Sequence, residues 1–410
     1  MKTKAKKTTI SMVMRMIYKK FKDLQLSSLG MGCMRLPSVG NEWGAPIDEE
    51  KAFELIDRAY KSGVNYFDTS WFYHGGDSER FIGEALGKYP RDTWYLASKI
   101  AGMMMRKGDD GKYRLSGSNK DNRTFTDPTE IFEYQLNRCG VDRFDFFMLH
   151  NVAESSYNTY TDEELGIIEA MLKQREKGRI RFLGFSSHGR AETIEKFLDE
   201  TKARYGDIFE FAMIQLNYLD WTLQKANEKY NVLTRHGLPV MVMEPLRGGT
   251  LARLGEKSGA ILKEAKPDAS YASWAFRYLQ SLKNVSVVVS GMSTMEQLEE
   301  NLKIFGKHEP TGPLEEAVLR EVLESLVDLI PCTDCKYCVD ECPQKLNIPM
   351  LLTMYNEAGF EMGWFLQTAI RTLKESEKPT ACTGCGKCSP YCPQGIDIPE
   401  ALKKFGKLLM

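Results

Sequence analysis

The sequence predicts an α/β protein, a closed (β/α)8 barrel with a small, helical, cysteine-rich domain behind it. Three observations carry this. Eight short apolar runs alternate with amphipathic helical segments from about Leu29 to Lys307. The alternation then stops. Eight of the ten cysteines fall within residues 332–392.

The runs, in order, are LGMGCM, NYFDTS, WYLASKI, FDFFMLH, IRFLGFSS, FEFAMIQLNYL, LPVMVMEPL and VSVVVSGM. They are β-branched or aromatic and nearly continuous, as parallel strands covered on both faces are. Segments between them, such as EEKAFELIDRAYKSG and ETIEKFLDETKARYG, carry apolar residues three and four apart and stop at Gly. Eight such units close into a barrel of the TIM type, whose chemistry sits at the C-terminal ends of its strands. The longest interruption, residues 101–128, is polar and Gly-containing, and is expected as a mobile βα loop over the site. After Lys307, LEEAVLREVLESLVDLI reads as one helix. A cysteine block, a helical stretch from about Pro349 to Lys378 and a second cysteine block follow. The expected organisation is a disordered tail over residues 1–15, a barrel over 16–310 and a helical module over 311–410. The tail, MKTKAKKTTISMVMR, is basic, and its apolar stretch is too short for a secretory signal.

Lys and Arg number 55 against 56 Asp and Glu, a formal charge of −1. That balance argues against a nucleic-acid partner or an anionic membrane surface. No run of apolar residues reaches the length of about twenty that a transmembrane helix needs. The expected setting is the cytoplasm, where cysteines stay reduced.

Cys332, Cys335, Cys338 and Cys342, followed by Pro343, spell C-x2-C-x2-C-x3-C-P. Cys382, Cys385, Cys388 and Cys392, followed by Pro393, repeat it. The two blocks, 332–349 and 382–399, share nine of eighteen positions, including all four cysteines and a closing Ile-Pro. Tight thiolate spacing lets one loop wrap three corners of a [4Fe–4S] cubane, while the cysteine before Pro serves the other cluster. Two clusters are therefore expected, one on Cys332, Cys335, Cys338 and Cys392, the other on Cys382, Cys385, Cys388 and Cys342. Structural zinc also uses C-x2-C, but the doubled motif with both prolines favours the cubanes. With its helical insert, the module resembles the α-helical ferredoxin modules of large redox enzymes.

Three consecutive strand ends carry Asp68 and Tyr73, then Lys99 in LASKI, then His150 in FMLH. With these, residues 16–307 resemble the aldo/keto reductase superfamily, whose barrel holds an Asp-Tyr-Lys-His tetrad. The resemblance implies reduction of a small-molecule carbonyl, or oxidation of an alcohol, by hydride transfer from or to a nicotinamide. Chemistry explains the residue types. The alkoxide left by hydride must be protonated, and a free phenol, with a pKa of about 10, is a poor acid near neutrality. Lys99 is expected to lower the pKa of Tyr73, Asp68 to hold Lys99 charged, and His150 to polarise the carbonyl.

The resemblance also implies cofactor positions. Gly32 and Cys33 lie beside the nicotinamide, Ser186 and Ser187 at its carboxamide, and Gln215 at the family's Gln. Met243 takes the place of a ring-stacking aromatic. Gly291, Ser293, Gln297, Glu300 and Asn301 belong to the last strand and helix, whose N–H groups offer an anion site. The last loop lacks the Arg or Lys that many NADPH-binding members use, so NADH, NADPH and a flavin remain open. Trp43, Trp71 and Phe72 are candidates for a substrate pocket, and Cys139 for the core.

Nicotinamide moves electrons in pairs, whereas clusters move them singly. One reading is an NAD(P)H reductase whose clusters structure the module or contact a redox partner. Another is a reductase fed by ferredoxin or a flavoprotein, with a flavin bridging one- and two-electron steps. A third is a non-catalytic redox sensor, against which the complete tetrad speaks.

Overall fold

A computed structural model describes residues 16–41, 45–115, 123–326, 330, 332, 337–359, 363–392 and 395–409. The expected tail, Trp43, Cys335 and Pro393 lie outside them.

Each of the eight apolar runs forms a parallel strand. These are β1 (Leu29–Gly32), β2 (Tyr66–Asp68), β3 (Tyr95–Ile100), β4 (Phe144–Leu149), β5 (Ile180–Ser187), β6 (Phe211–Gln215), β7 (Val240–Met243) and β8 (Val285–Gly291). Every strand pairs with its neighbours in sequence, and β8 pairs with β1 to close the barrel. The covering helices are α1 (Glu49–Lys61), α2 (Ser78–Gly87), α3 (Pro128–Cys139), α4 (Ile167–Glu176), α5 (Ala191–Tyr205), α6 (Ala226–Arg235), α7 (Glu256–Ala265), α8 (Tyr271–Ser281) and α9 (Met295–Phe305). Their ends follow local chemistry. On α3, Asp127 accepts from Thr129 and Glu130 N–H, Pro128 fills the first turn, and Gly140 ends it in the left-handed conformation.

The interior of the barrel is packed. Tyr66, Phe146, Phe182, Phe211, Met213 and Met241 fill it. An N-terminal hairpin, Tyr18–Phe21 with Leu24–Ser27, was not foreseen. It supplies Phe21, whose ring meets Phe146, Phe182 and Phe211 edge-on at 5.3, 5.1 and 6.3 Å. The 101–128 segment, expected as a mobile βα loop, contains a second hairpin, Met105–Lys107 with Tyr113–Leu115.

The helix α10 (Pro313–Leu326), assigned by sequence to the module, packs on the barrel. Its Leu319 and Val322 join a core with Leu219, Leu262 and Trp274, and Glu315 pairs with Arg277 at 2.6 Å. The polar linker after Lys307 marks a change of pattern, but the apolar face of α10 finds its partners behind it in sequence.

In the module, α11 (Ile348–Ala358) and α12 (Ile398–Leu408) pack through Leu351, Leu352, Leu402 and Phe405. The internal repeat explains both. In each, the shared Ile-Pro opens the helix and a preceding Asn347 or Asp397 caps it, accepting from Met350 or Glu400 N–H. Among the described residues, no helix is long and apolar enough to cross a membrane.

Candidate active site

A cavity of about 700 Å³ lies at the C-terminal ends of the barrel strands. Asp68 ends β2, Lys99 sits near the end of β3 and His150 follows β4. Tyr73 stands in the turn after β2, where His74 and Gly75 take φ of 52° and 62°. The turn brings the phenol back to the strand ends. Lys99 Nζ, buried, donates to Asp68 Oδ1 at 2.7 Å, to the Thr69 carbonyl at 2.8 Å and to Tyr73 Oη at 3.4 Å. Burial opposes charge on Lys99, but Asp68 and Tyr73 outweigh it and leave its pKa raised. Behind the strand, buried Glu79 accepts from Ser98 Oγ at 2.6 Å and Gln135 Nε2 at 2.7 Å, and Gln135 also donates to the Lys99 carbonyl at 3.0 Å.

Burial pushes the Tyr73 phenol up to about 12, against the downward pull of Lys99. The sequence led us to expect a net lowering. Lys99 acts in that direction, but desolvation of a buried phenolate is the larger effect. Tyr73 therefore holds its proton at neutral pH. His150 Nδ1 lies 2.9 Å from Ser70 Oγ, and the Phe72 ring stacks on the imidazole with centroids 5.0 Å apart. Burial, with the Lys99 charge and His188, holds the His150 pKa well below its ordinary value, so the ring is neutral. Its Nε2 is left for a ligand. Tyr160 ties the ends of β3 and β4 together, its Oη donating to the His150 carbonyl at 2.5 Å and lying 3.2 Å from the Ile100 carbonyl.

Asp68, Tyr73, Lys99 and His150 all line the cavity, and so do Gly32, Ser186, Met243, Gly291, Ser293, Gln297, Glu300 and Asn301. Cys33, Ser187 and Gln215 are not on its wall. Cys33 is fully buried, and burial, then Asp68, push its thiol up. Ser187 Oγ donates to the Val152 carbonyl at 2.6 Å and accepts the Gly189 N–H at 3.0 Å, so its hydroxyl holds the loop. Gln215 Nε2 donates to Asp220 Oδ2 at 2.8 Å. At the start of α9, Thr294 caps the Gln297 N–H, and Gln297 Oε1 takes the Ser293 N–H at 2.8 Å. The expected anion site is thus partly met by its own side chains. Phe72 lines the cavity, whereas Trp71 is packed against Phe125 and Tyr134 and Cys139 is in the core.

The wall also holds residues the sequence reading missed, among them Arg35, Met104, His188, Glu244, Leu246 and Arg253. His188 and Glu244 directly follow β5 and β7, so the strand-end rule alone would have found them. Arg35 and Arg253 come from irregular segments with no period to read. The residues fit a dinucleotide. Gly32 and Gly291 face each other across β1 and β8. A Cβ on Gly32 would stand 3.1 Å from Val289 Cγ1, and one on Gly291 3.0 Å from Arg35 Cβ. Both glycines line the cavity together with Arg35 and Arg253.

Residues 28–311 match the model of the aldo/keto reductase family. The chain belongs to that family. It is 26% identical to an uncharacterised oxidoreductase of Bacillus subtilis strain 168, over 68% of this chain and 88% of the relative. It is 27% identical to the NADH-specific methylglyoxal reductase of Escherichia coli K12, over 61% and 71%. A solved aldo-keto reductase from Bacillus halodurans, in its holo form, matches with a TM-score of 0.58 and 25% identity, covering 75% of this chain and 96% of that one.

Residues 331–397 match a 4Fe-4S dicluster domain, so this reductase carries an iron–sulfur module. In the structure Cys342, Cys382, Cys385 and Cys388 line one small cavity, the set expected for the second cluster. Gly384 and Gly386, with φ of 70° and 71°, let the loop wrap around Cys385. Cys332, Cys338 and Cys392 share the same apolar core, and the short helix Tyr337–Asp340 packs on the turn Ser389–Tyr391 that leads into Cys392.

Proposed function

We propose that this aldo/keto reductase reduces small aldehydes or ketones with a nicotinamide cofactor in the barrel cavity. The observation that carries the reading is the buried Asp68–Lys99–Tyr73 contact beside His150. A bound nicotinamide supplies the hydride. The chain does the rest. Neutral His150 offers Nε2–H to the carbonyl oxygen and polarises it, and Tyr73 Oη delivers the proton that the oxygen needs. Lys99 makes that proton easier to give, because its ammonium stabilises the phenolate left behind. Asp68 keeps Lys99 charged and aimed. In the oxidative direction the same phenol accepts the proton.

Gly32, Ser186, Met243 and Gly291 would flank the nicotinamide half, with Ser293, Gln297, Glu300 and Asn301 at the adenosine half. Arg35 and Arg253 would supply the positive charge that the last loop lacks. Phe72, Met104 and Leu246 make an apolar wall suited to a small substrate. The name of the Escherichia coli relative puts methylglyoxal first in a substrate panel.

For the module, we assign the two clusters to the cysteine sets given above and single-electron exchange with a protein partner, in an oxygen-poor cytoplasm. Cys385 is exposed, so a cluster it holds has an edge at the surface. The flavin alternative has no observation in its favour. The test is anaerobic: protein holding its iron should oxidise NADH or NADPH when methylglyoxal or another small aldehyde is added. No turnover with any aldehyde or ketone of the panel would refute the reading.

A further inference from the structure

The iron–sulfur module docks on the loops that follow β5, β6 and β7. Its helix α11 makes the contacts. At the first turn, Arg190 Nη1 meets Met350 Sδ at 3.1 Å. At the last turn, Glu357 Oε1 accepts from Gln224 Nε2 at 2.5 Å and from Arg247 Nη2 at 3.4 Å. The short helical turn Asp220–Leu223 packs on the same helix. Arg190 follows β5, Gln224 follows β6 and Arg247 follows β7, and in a barrel of this type such loops surround the chemistry. The other side of α11 belongs to the module: Leu351 and Leu352 share a core with Cys338, Cys342 and Cys388.

The loop after β7 gives the contact its meaning. Glu244, Leu246, Gly248, Gly249 and Arg253 all line the cavity. Between Glu244 and Gly249 the backbone enters the left-handed region repeatedly: φ is 54° at Glu244, 46° at Arg247, 63° at Gly248 and 102° at Gly249. Glycine takes that conformation freely, whereas Glu and Arg keep it only where their surroundings hold them. At Glu244 the barrel does the holding. Gly248 N–H donates to its Oε2 at 2.8 Å, and Asn217 Nδ2 to its carbonyl at 3.0 Å. At Arg247 two carboxylates hold the guanidinium. Nη1 donates to buried Asp220 of the barrel and Nη2 to Glu357 of the module. Contacts on two different nitrogens fix the guanidinium plane, which a single contact leaves free to turn.

We propose that Glu357 of the iron–sulfur module is a positioning residue of the barrel cavity: by holding Arg247 it fixes the strained loop 244–253 in the shape that receives the nicotinamide nucleotide. The inference rests on the cavity being a nicotinamide site. Glu357 acts through Arg247 and the loop, so its effect falls on nucleotide affinity and not on the hydride or proton step. The linkage is reciprocal. Whatever Glu357 adds to nucleotide affinity, the nucleotide adds to the docking of α11.

The experiment uses full-length protein purified without oxygen, with iron measured in every variant. Dissociation constants for NADH and NADPH are read by nicotinamide fluorescence, kcat is read at saturating nucleotide, and hydrogen exchange is followed along residues 348–358. In wild type, saturating nucleotide should slow exchange of the α11 amides about fivefold. Glu357→Ala should raise the nucleotide dissociation constant about fivefold, leave kcat within twofold, and abolish the effect of nucleotide on α11. Glu357→Gln keeps an acceptor and should recover at least half of the lost affinity. If Glu357→Ala loses iron, Gln224→Leu tests the same contact from the barrel side, with an expected loss of about threefold. A variant that keeps its iron and binds both nucleotides within twofold of wild type would overturn the positioning role, and so would a fall in kcat with affinity unchanged. Exchange along α11 that ignores bound nucleotide in wild type would overturn the linkage. Wild type that binds neither nucleotide would overturn the nicotinamide reading and this inference together; wild type that binds while Glu357→Ala is unchanged overturns this inference alone.

Discussion

Replacing Lys99 by Met tests what the ammonium does for the phenol. Lys99 Nζ, buried, is 3.4 Å from Tyr73 Oη. At an effective dielectric of about 20, unit charges that far apart interact by about 5 kcal/mol. That corresponds to about 3.6 pKa units of added acidity for Tyr73. If the proton is about half transferred in the transition state, roughly half of this is felt, about 2 to 2.5 kcal/mol, or about 30- to 70-fold in turnover. The oxidative direction needs the phenolate, so its optimum should move to higher pH in Lys99→Met. The change also strands the buried Asp68 carboxylate, at a cost to stability of about 3–5 kcal/mol. The variant Asp68→Asn/Lys99→Met removes the stranded charge and should regain the fold without regaining turnover. The assay is anaerobic steady-state reduction of small aldehydes from pH 6 to 9, with melting curves alongside. A folded Lys99→Met protein within threefold of wild type would refute the argument.

A fragment ending at residue 310 should be less stable than one ending at 326, because it loses buried Leu319 and Val322 and uncovers Leu219, Leu262 and Trp274. Those two side chains alone are worth about 3–6 kcal/mol, and equal urea midpoints would contradict the packing. Cys392→Ser should damage the cluster built on residues 332–338 and spare the one ringed by Cys342, Cys382, Cys385 and Cys388; electron paramagnetic resonance of the reduced protein showing the reverse would break the cross-ligation. His150 and His188 are held neutral by burial, so each adds stability that is present above the unfolded pKa of about 6.5 and lost as pH falls below it. Each should cost about 1.4 kcal/mol between pH 7.5 and 5.5, and the urea midpoint of His188→Asn should depend less on pH than that of wild type.

The barrel was legible because each of its strands is covered on both faces and so reads as an unbroken apolar run. The proposed tetrad could be located because the same pattern fixes the strand ends and the family resemblance names the residue types to look for there. Two hairpins escaped. Tyr18–Ser27 is short and half polar, and its role depends on Phe21 meeting rings from three distant strands, which no local window contains. Helix α10 was visible as a helix but not as part of the barrel, since its partners Leu262 and Trp274 lie on other helices. Around the site, Ser187 shows the limit of position alone: it stands at the right strand end, yet its hydroxyl is spent on Val152 and Gly189. The rise of the Tyr73 pKa is likewise a product of burial, and burial is settled by the whole fold.

The measurement that bears most directly on the central claim is turnover in Tyr73→Phe. The account predicts that loss of one oxygen atom leaves NADH and NADPH affinity nearly unchanged and lowers kcat by about a hundredfold to ten-thousandfold, the span of a positioned general acid. Carbonyl reduction that continues at the wild-type rate in Tyr73→Phe would contradict it and place the chemistry of this protein elsewhere.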